Sequence, residues 1–571
     1  MQAGGYRIGS LPIDPYTGSQ RNFKLARRWL RTCKQHHDNC LSEPVPNLPT
    51  RVIYVGDDPE YKDVHLKVPK QGSEAEYVAL SHCWGGDVEI KLVEGNLEKF
   101  QLSLPFDDLA ANFQDAIEVT RKLGIRYLWI DSLCIIQDST ADWEEESKMM
   151  TTVYRDCTLT VSAMSSEKSE DGFLTCRPDD GGAINWEAAH VKSLSDRDED
   201  VQARVGRFDP RQEESLWDLE ENPKKKGPLA RRGWTLQENV LSPRHLYYGA
   251  NLIHWTCPSA RLSANGMRGM HKLDKRYPAA SAVIFGDILR QQNQVSAYGV
   301  EEVLMDYYVF VENYSARNLT KASDKFPAFS GIVQRLQPVL GDYMAGLWRR
   351  DIVRGLWWVK EVEGGPVSKY RAPSWSWASV DGPVSCATCS KDEGPFDVQM
   401  LDYAIRLADH DNPFGQVRSA SLTLRGWTKR LVRPLRYREN PSEDIDDLFD
   451  VVIDEALCLQ DGIDLEKHAW SETRSVFLPG TDSREQNDNI AGEGHTPWIR
   501  LGSYFILSGK YVVLLLRALP DGEGPLMRFW CLLLESVHGL RHEVFKRVGT
   551  LEGSASAASL NNWQQRTVII R

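Results

Sequence analysis

Two apolar runs with a helical stretch between them constrain this chain more than any other feature of its sequence. "EYVALSHCWGG" (76–86) opens on Tyr77, Val78, Ala79 and Leu80, turns polar at Ser81 and His82, and breaks at Gly85 and Gly86. "DDLAANFQDAIEVTRKLG" (107–124) then carries apolar residues at helical spacing, and "RYLWIDSLCII" (126–136) is again a mostly apolar run. Strands buried on both faces read in this continuous way, and strands joined through a helix run parallel. The alternation continues with a helix, "ADWEEESKMMTTVYRD" (141–156), and a strand, "CTLTVSA" (157–163). An α/β domain with a mostly parallel sheet is expected.

The rest of the 571 residues is too long to share that one core. Before it, "NFKLARRWLRTCKQHHDNC" (22–40) reads as an amphipathic helix through Leu25, Trp29, Leu30 and Cys33, and "TRVIYV" (50–55) as a strand. Residues 177–230 are charged and punctuated by Gly and Pro, which reads as an insertion. "RRGWTLQENVLSPRHLYYGANLIHWTC" then predicts a helix and a hairpin turning at Gly249, Ala250 and Asn251. Helical spacing dominates 280–360. After about 370, short runs such as "SWSWASV", "SLTLRGWT", "RFWCLLLESV" and "RTVIIR" predict a β-rich region. The expected division is a leader at 1–75, the α/β domain at 76–260, a helical segment at 261–370 and a β-rich region at 371–571.

Net charge of −12 offers no footprint for nucleic acid or an anionic membrane surface. No apolar run approaches the ~20 residues of a membrane span, and the first residues lack a signal-peptide pattern. Eleven thinly spread cysteines fit reduced thiols better than a disulfide framework, so a cytoplasmic location is expected.

Ligands of parallel sheets bind beyond the carboxyl ends of the strands. Ser81, His82, Cys83 and Trp84 end one strand and Asp131 another, with Gln137 just beyond; a crevice and a packed core with Asp131 capping a turn are both open readings. On the 141–156 helix, Trp143, Glu146, Ser147, Met150, Val153 and Tyr154 share one face. A carboxylate at Glu146 must then pair with a cation, for which Arg231 and Arg232 are candidates, or line a wet site. In "RRGWTLQE", Arg232, Trp234, Gln237 and Glu238 fit either a nucleotide or sugar site or a helix-docking contact. Adjacent residues on a strand face opposite ways, which weakens His82–Cys83 as a base–nucleophile pair. Cys33, His36, His37 and Cys40 are metal-capable, but "CATC" (386–389) lies far away in sequence. No metal is expected, and a satisfied helix end is the reading preferred there.

"YVALSHCWGG", "LGIRYLWIDSLCIIQDSTADWEEESKMMTTVYRDCTLTVSA", "RRGWTLQENVLS", "DKFPAFSGI" and "APSWSWASVDGPV" together resemble the fungal heterokaryon incompatibility (HET) domain proteins, and "WLRTCKQHHDNC" resembles the segment that often precedes the domain. That resemblance implies a role in nonself recognition and programmed cell death, and a TIR-like, flavodoxin-like fold whose first three strands would be "YVALSHCWG", "YLWIDSLC" and "TLTVSA". It implies no bound cofactor, with NAD a candidate substrate for cleavage by Glu146 and Asp131. Ser81, His82, Cys83, Trp84, Gln137, Arg232, Trp234 and Glu238 would hold the ligand. TIR-type cleavage uses a glutamate after the third strand, near Glu167, Glu170 or Asp171, whereas the buried-face carboxylate is Glu146. A self-association module, with a second copy or an incompatibility protein as partner, and an accessory protein of a biosynthetic cluster are the other expectations.

Overall fold

The computed structural model describes residues 2–3, 6–7, 14–37, 40, 45–56, 64–176, 187–192, 200–205, 227–266, 299–361, 369–386, 396–430, 449–453, 511–520, 526–537, 544–556 and 563–571. The chain divides into two compact units, 1–291 and 292–571, where the sequence suggested four segments.

The first unit is built on an eight-stranded sheet. Its elements are α1 (Gln20–His36), β1 (Val52–Tyr54), β2 (His65–Lys67), β3 (Tyr77–Ser81), α2 (Ala111–Leu123), β4 (Tyr127–Trp129), α3 (Thr140–Asp156), β5 (Leu159–Ala163), α4 (Trp234–Leu241), β6 (His245–Tyr248), β7 (Ile253–Cys257) and β8 (Ala260–Ser263). The spatial order is β8-β7-β6-β5-β3-β4-β1-β2. The middle four are mutually parallel, with Ala79 opposite Trp129 and Thr160, and Ala163 opposite Tyr248. Every residue of β3 and β5 is buried; β3 is apolar up to Ser81, whereas β5 alternates Leu159, Val161 and Ala163 with Thr160 and Ser162, and the buried Thr160 hydroxyl is hydrogen-bonded to that of Ser242 at 2.6 Å.

From β3 the chain steps to β4 on one side, then crosses back to β5 on the other. This reversal is the switch point of a doubly wound sheet, where the strand ends leave room for a ligand. Two strands that precede residue 76 also belong to this sheet: β1 pairs antiparallel with β4 and β2 pairs antiparallel with β1. On the opposite side β6, β7 and β8 form an antiparallel edge, including the hairpin expected around Gly249–Asn251.

Local signals set the helix ends. The hydroxyls of Ser19 and Ser139 accept from the backbone N–H groups of Asn22 and Asp142 at the starts of α1 and α3. Gly124 closes α2 in a left-handed conformation. Tyr77 and Tyr154 tie α3 to the sheet, donating to the carbonyls of Val153 (2.7 Å) and Leu80 (3.1 Å). Within the charged 177–230 stretch, the described residues include an antiparallel ladder between Glu187–Lys192 and Asp200–Val205; its remainder lies mostly outside the described residues.

The second unit begins with α5 (Val300–Ser315) and α6 (Ser330–Leu340), and the helix-like "AVIFGDILRQQNQ" lies outside the described residues. "SWSWASV" is not a strand. It makes a turn whose Trp377 sits among Tyr314, Phe326 and Phe329 and donates to the Gly346 carbonyl at 2.8 Å, so its aromatic content serves a ring cluster. The β-rich region comprises β9 (Val398–Leu407), β10 (Val417–Arg430), β11 (Phe449–Ile453), β12 (Tyr511–Pro520), β13 (Leu526–Ser536), β14 (Val544–Ser556) and β15 (Gln564–Ile570). Strands β10, β12, β13 and β14 are successive neighbours, and β15 pairs with both β10 and β14, closing a circuit.

Candidate functional site

At the carboxyl ends of the parallel strands a polar cluster gathers around α4. Ser81, the last residue of β3, donates its hydroxyl to the Glu238 carboxylate. Arg232, just before α4, donates to the His82 carbonyl, and the Trp84 indole donates to Asp131 Oδ2 at 2.8 Å. Glu238 is 6% exposed, Ser81 3% and His82 2%, while Trp84, Asp131, Arg232 and Trp234 are half-buried around them. The cluster is a sealed core with a partly open rim.

Burial dominates its electrostatics. It pushes the Glu238 carboxyl up to about 7, against the opposing pull of the Arg232 cation and of hydrogen bonds from Ser81 and Tyr154; the nearby Asp131 charge adds to the rise. Burial likewise pulls His82 down to about 4, so its imidazole is neutral near neutral pH. His82 sits edge-on to Phe113 of α2 (centroids 5.2 Å apart), and its Nε2 has no hydrogen-bond partner among the described residues.

His82 and Cys83 follow the end of β3 and pack against different neighbours. Cys83 packs with Met164, Leu229, Ala230 and Tyr247, where burial raises its thiol pKa. It is a core residue there, and it also meets the polar cluster through the Arg232 side chain, which opposes the rise in its pKa. The glycines that follow have a backbone reason. Gly85 adopts φ +74°, and a Cβ there would stand 2.5 Å from the Lys168 Cα. That close approach seats the 164–172 loop on the strand end, with Ser169 donating to the Cys83 and Trp84 carbonyls.

Glu146 is buried, as the helical phase predicts, but its partner is Arg51 rather than Arg231 or Arg232. Arg51 stands directly before β1, and its guanidinium reaches Glu146 Oε1 (3.2 Å), both oxygens of Asp142 (2.8 and 2.6 Å) and the Cys134 carbonyl (2.5 Å). Arg231 is exposed, and Arg232 turns to His82. Asp131 and Glu146 both act on the buried Cys134 thiol, yet their hydrogen bonds run to different partners. Asp131 Oδ1 also accepts from the Ser132 N–H, a turn-capping contact, and Gln137 donates to the Asp131 and Ile135 carbonyls, steadying the same turn. Glu167, Glu170 and Asp171 are exposed, with Asp171 accepting from the Glu167 and Lys168 backbone.

Sequence reasoning did not single out Arg51, and placed Tyr154 only on the buried face of α3. The signal for Arg51 was available: a cation directly abutting the buried strand "VIY" needs an anion, and α3 presents two.

These features define an α/β domain with a mostly parallel sheet and a buried carboxylate–arginine–serine cluster at its switch point. Residues 77–238 match the family model described as Heterokaryon incompatibility protein (HET). The match runs from the first residue of β3 to Glu238 and so encloses the whole cluster, while Arg51 lies outside it. No curated protein and no solved structure matches the chain.

Proposed function

We propose that this chain acts in heterokaryon incompatibility as a cell-death effector whose HET domain cleaves the N-glycosidic bond of NAD at the Ser81–Arg232–Glu238 cluster. The observation that carries this reading is a buried glutamate held by an arginine and a serine at the switch point of a doubly wound sheet, the place where such sheets receive nucleotides. Numbered within the parallel set, the strand order is second-first-third-fourth, the order of flavodoxin-like folds, which supports the TIR likeness.

In the reaction, the bond between the ribose C1′ and the nicotinamide nitrogen breaks with its electron pair going to nitrogen, and neutral nicotinamide leaves. The Glu238 carboxylate stabilises the oxocarbenium-like ribose and takes a proton from the water that adds to C1′, giving ADP-ribose. A carboxyl that titrates near neutral pH is suited to both tasks. Asp131 and Trp84 stand at the partly open rim, and substrate reaches Glu238 by displacing Arg232 from the His82 carbonyl. In this reading Glu238 replaces Glu146 as the principal carboxylate, because Glu146 is committed to Arg51.

The burial of Ser81, His82 and Glu238 favours a second reading, in which the cluster only locks α4 to the sheet and the domain acts by association. Expression in a fungal host, with viability and cellular NAD followed together, separates the two. Killing accompanied by NAD loss, both absent in a folded Glu238→Gln protein, is the expected result. Killing by folded Glu238→Gln with NAD unchanged leaves association.

A further inference from the structure

We propose that the first unit contains a structural zinc site formed by Cys33, His37, Cys40 and Cys257. The four side chains come from three places in the chain. Cys33 and His37 are one helical turn apart at the end of α1, which puts them on one face, and the Cys40 N–H donates to the His37 carbonyl at 3.0 Å. Cys257 ends β7, at the antiparallel edge of the sheet. Their sulfur and nitrogen atoms all lie within 4.8 Å of one another, and Cys257 Sγ is 3.4 Å from His37 Nδ1. A tetrahedral zinc with sulfur at about 2.3 Å and nitrogen at about 2.0 Å needs ligand atoms roughly 3.5 to 3.8 Å apart, so a small contraction of this set completes the shell.

The surroundings fit a charged metal centre. Three thiolates around a divalent ion leave one negative charge, and the buried Arg244 guanidinium donates to Cys33 Sγ at 3.2 Å and to the Cys40 carbonyl at 3.4 Å. Ser259 Oγ lies 3.4 Å from Cys40 Sγ. Such outer hydrogen bonds orient thiolate ligands and spread their charge. The three cysteines are buried and all four positions are protein side chains, which leaves no open position for a substrate and marks a structural rather than a catalytic centre. Its work is mechanical: it fastens α1 to the sheet edge across more than two hundred residues of chain.

This reverses the sequence expectation of no metal, and the geometry explains how the set escaped notice. His36, the other histidine of the pair, is exposed, and the completing ligand is Cys257 rather than "CATC". Cys386 is buried in the second unit and Cys389 lies outside the described residues.

The test uses the full chain purified without chelators. Elemental analysis is expected to give one zinc per chain, retained by Cys176→Ser, whose thiol is exposed and outside the cluster, and lost from Cys257→Ser. Because a ligand variant can fail to fold, the wild-type protein is also stripped and refilled with cobalt. Intense thiolate charge-transfer bands and tetrahedral d–d absorption are expected. Wild-type protein that carries no zinc and gives no such cobalt spectrum overturns the proposal, as does folded Cys257→Ser that keeps its zinc. A crosslink among Cys33, Cys40 and Cys257, seen by mass spectrometry without reductant, overturns it as well.

Discussion

Replacing Glu238 by Gln should change how the stability of the first unit depends on pH. The folded protein holds the Glu238 proton up to about pH 7, whereas the unfolded chain releases it near 4.5. Between those values the folded state binds more protons, so stability falls as pH rises, and the loss is complete once pH passes the folded value. The gap corresponds to about 3 kcal/mol at 1.36 kcal/mol per pH unit. Most of it, roughly 2 to 3 kcal/mol, is lost between about pH 5 and about pH 8. A glutamine side chain keeps the volume and an acceptor for Ser81 but carries no titrating proton, so the variant gains that amount relative to wild type over the same range. Comparing two proteins at each pH cancels every other titrating group. Native-state hydrogen exchange of the β3 amides, Tyr77–Ser81, reads the opening of this unit without the β-rich one. A difference between variant and wild type that stays level within about 0.5 kcal/mol across that range would refute the claim that burial governs Glu238.

Two further outcomes check the surrounding frame. Arg51→Met strips the shared cation from Glu146 and Asp142 and should cost about 3 to 5 kcal/mol, whereas Glu146→Gln should cost far less because Asp142 keeps its two contacts to Arg51; urea unfolding of both variants, followed by exchange in α3, gives the ordering. Gly85→Ala should cost about 1 to 3 kcal/mol more than Gly72→Ala, since both glycines have positive φ but only Gly85 lies against the Lys168 backbone; equal losses in melting temperature would remove the close-approach argument.

Much of the first unit's core was legible because parallel strands covered on both faces read as apolar runs: Tyr77–Leu80 is one, and Leu159–Ala163, buried at every position, interrupts its apolar residues only with the small hydroxyl residues Thr160 and Ser162. The edge strands were harder. Val52–Tyr54 reads as a strand, but nothing in three residues says that it pairs with Tyr127–Trp129, and His65–Lys67 gives no apolar run at all. "SWSWASV" shows the converse error: its two tryptophans and its valine favour a strand by composition, yet Trp377 feeds a ring cluster beside Gly346 rather than a ladder.

The candidate site divides along the same physical line. Periodicity reports which way a side chain faces, so the burial of Glu146 on α3 could be read directly. Partnership across the fold carries no periodic signal. Arg51 meets Glu146 across 95 residues, Glu238 meets Ser81 across 157, and Cys257 meets His37 across 220. Helix α4 adds a local difficulty, because Thr235, Leu236, Gln237 and Glu238 are all buried, leaving no exposed face against which to phase so short a helix. Contacts of this kind close only when the sheet has already brought its strand ends together, and the buried charges they join are stable only once that has happened. The residues that complete each cluster are therefore the ones a linear reading is least able to find: Arg51 and Cys257 are of that kind, whereas Glu238 stood out within its motif but its partner Ser81 could not be read from it.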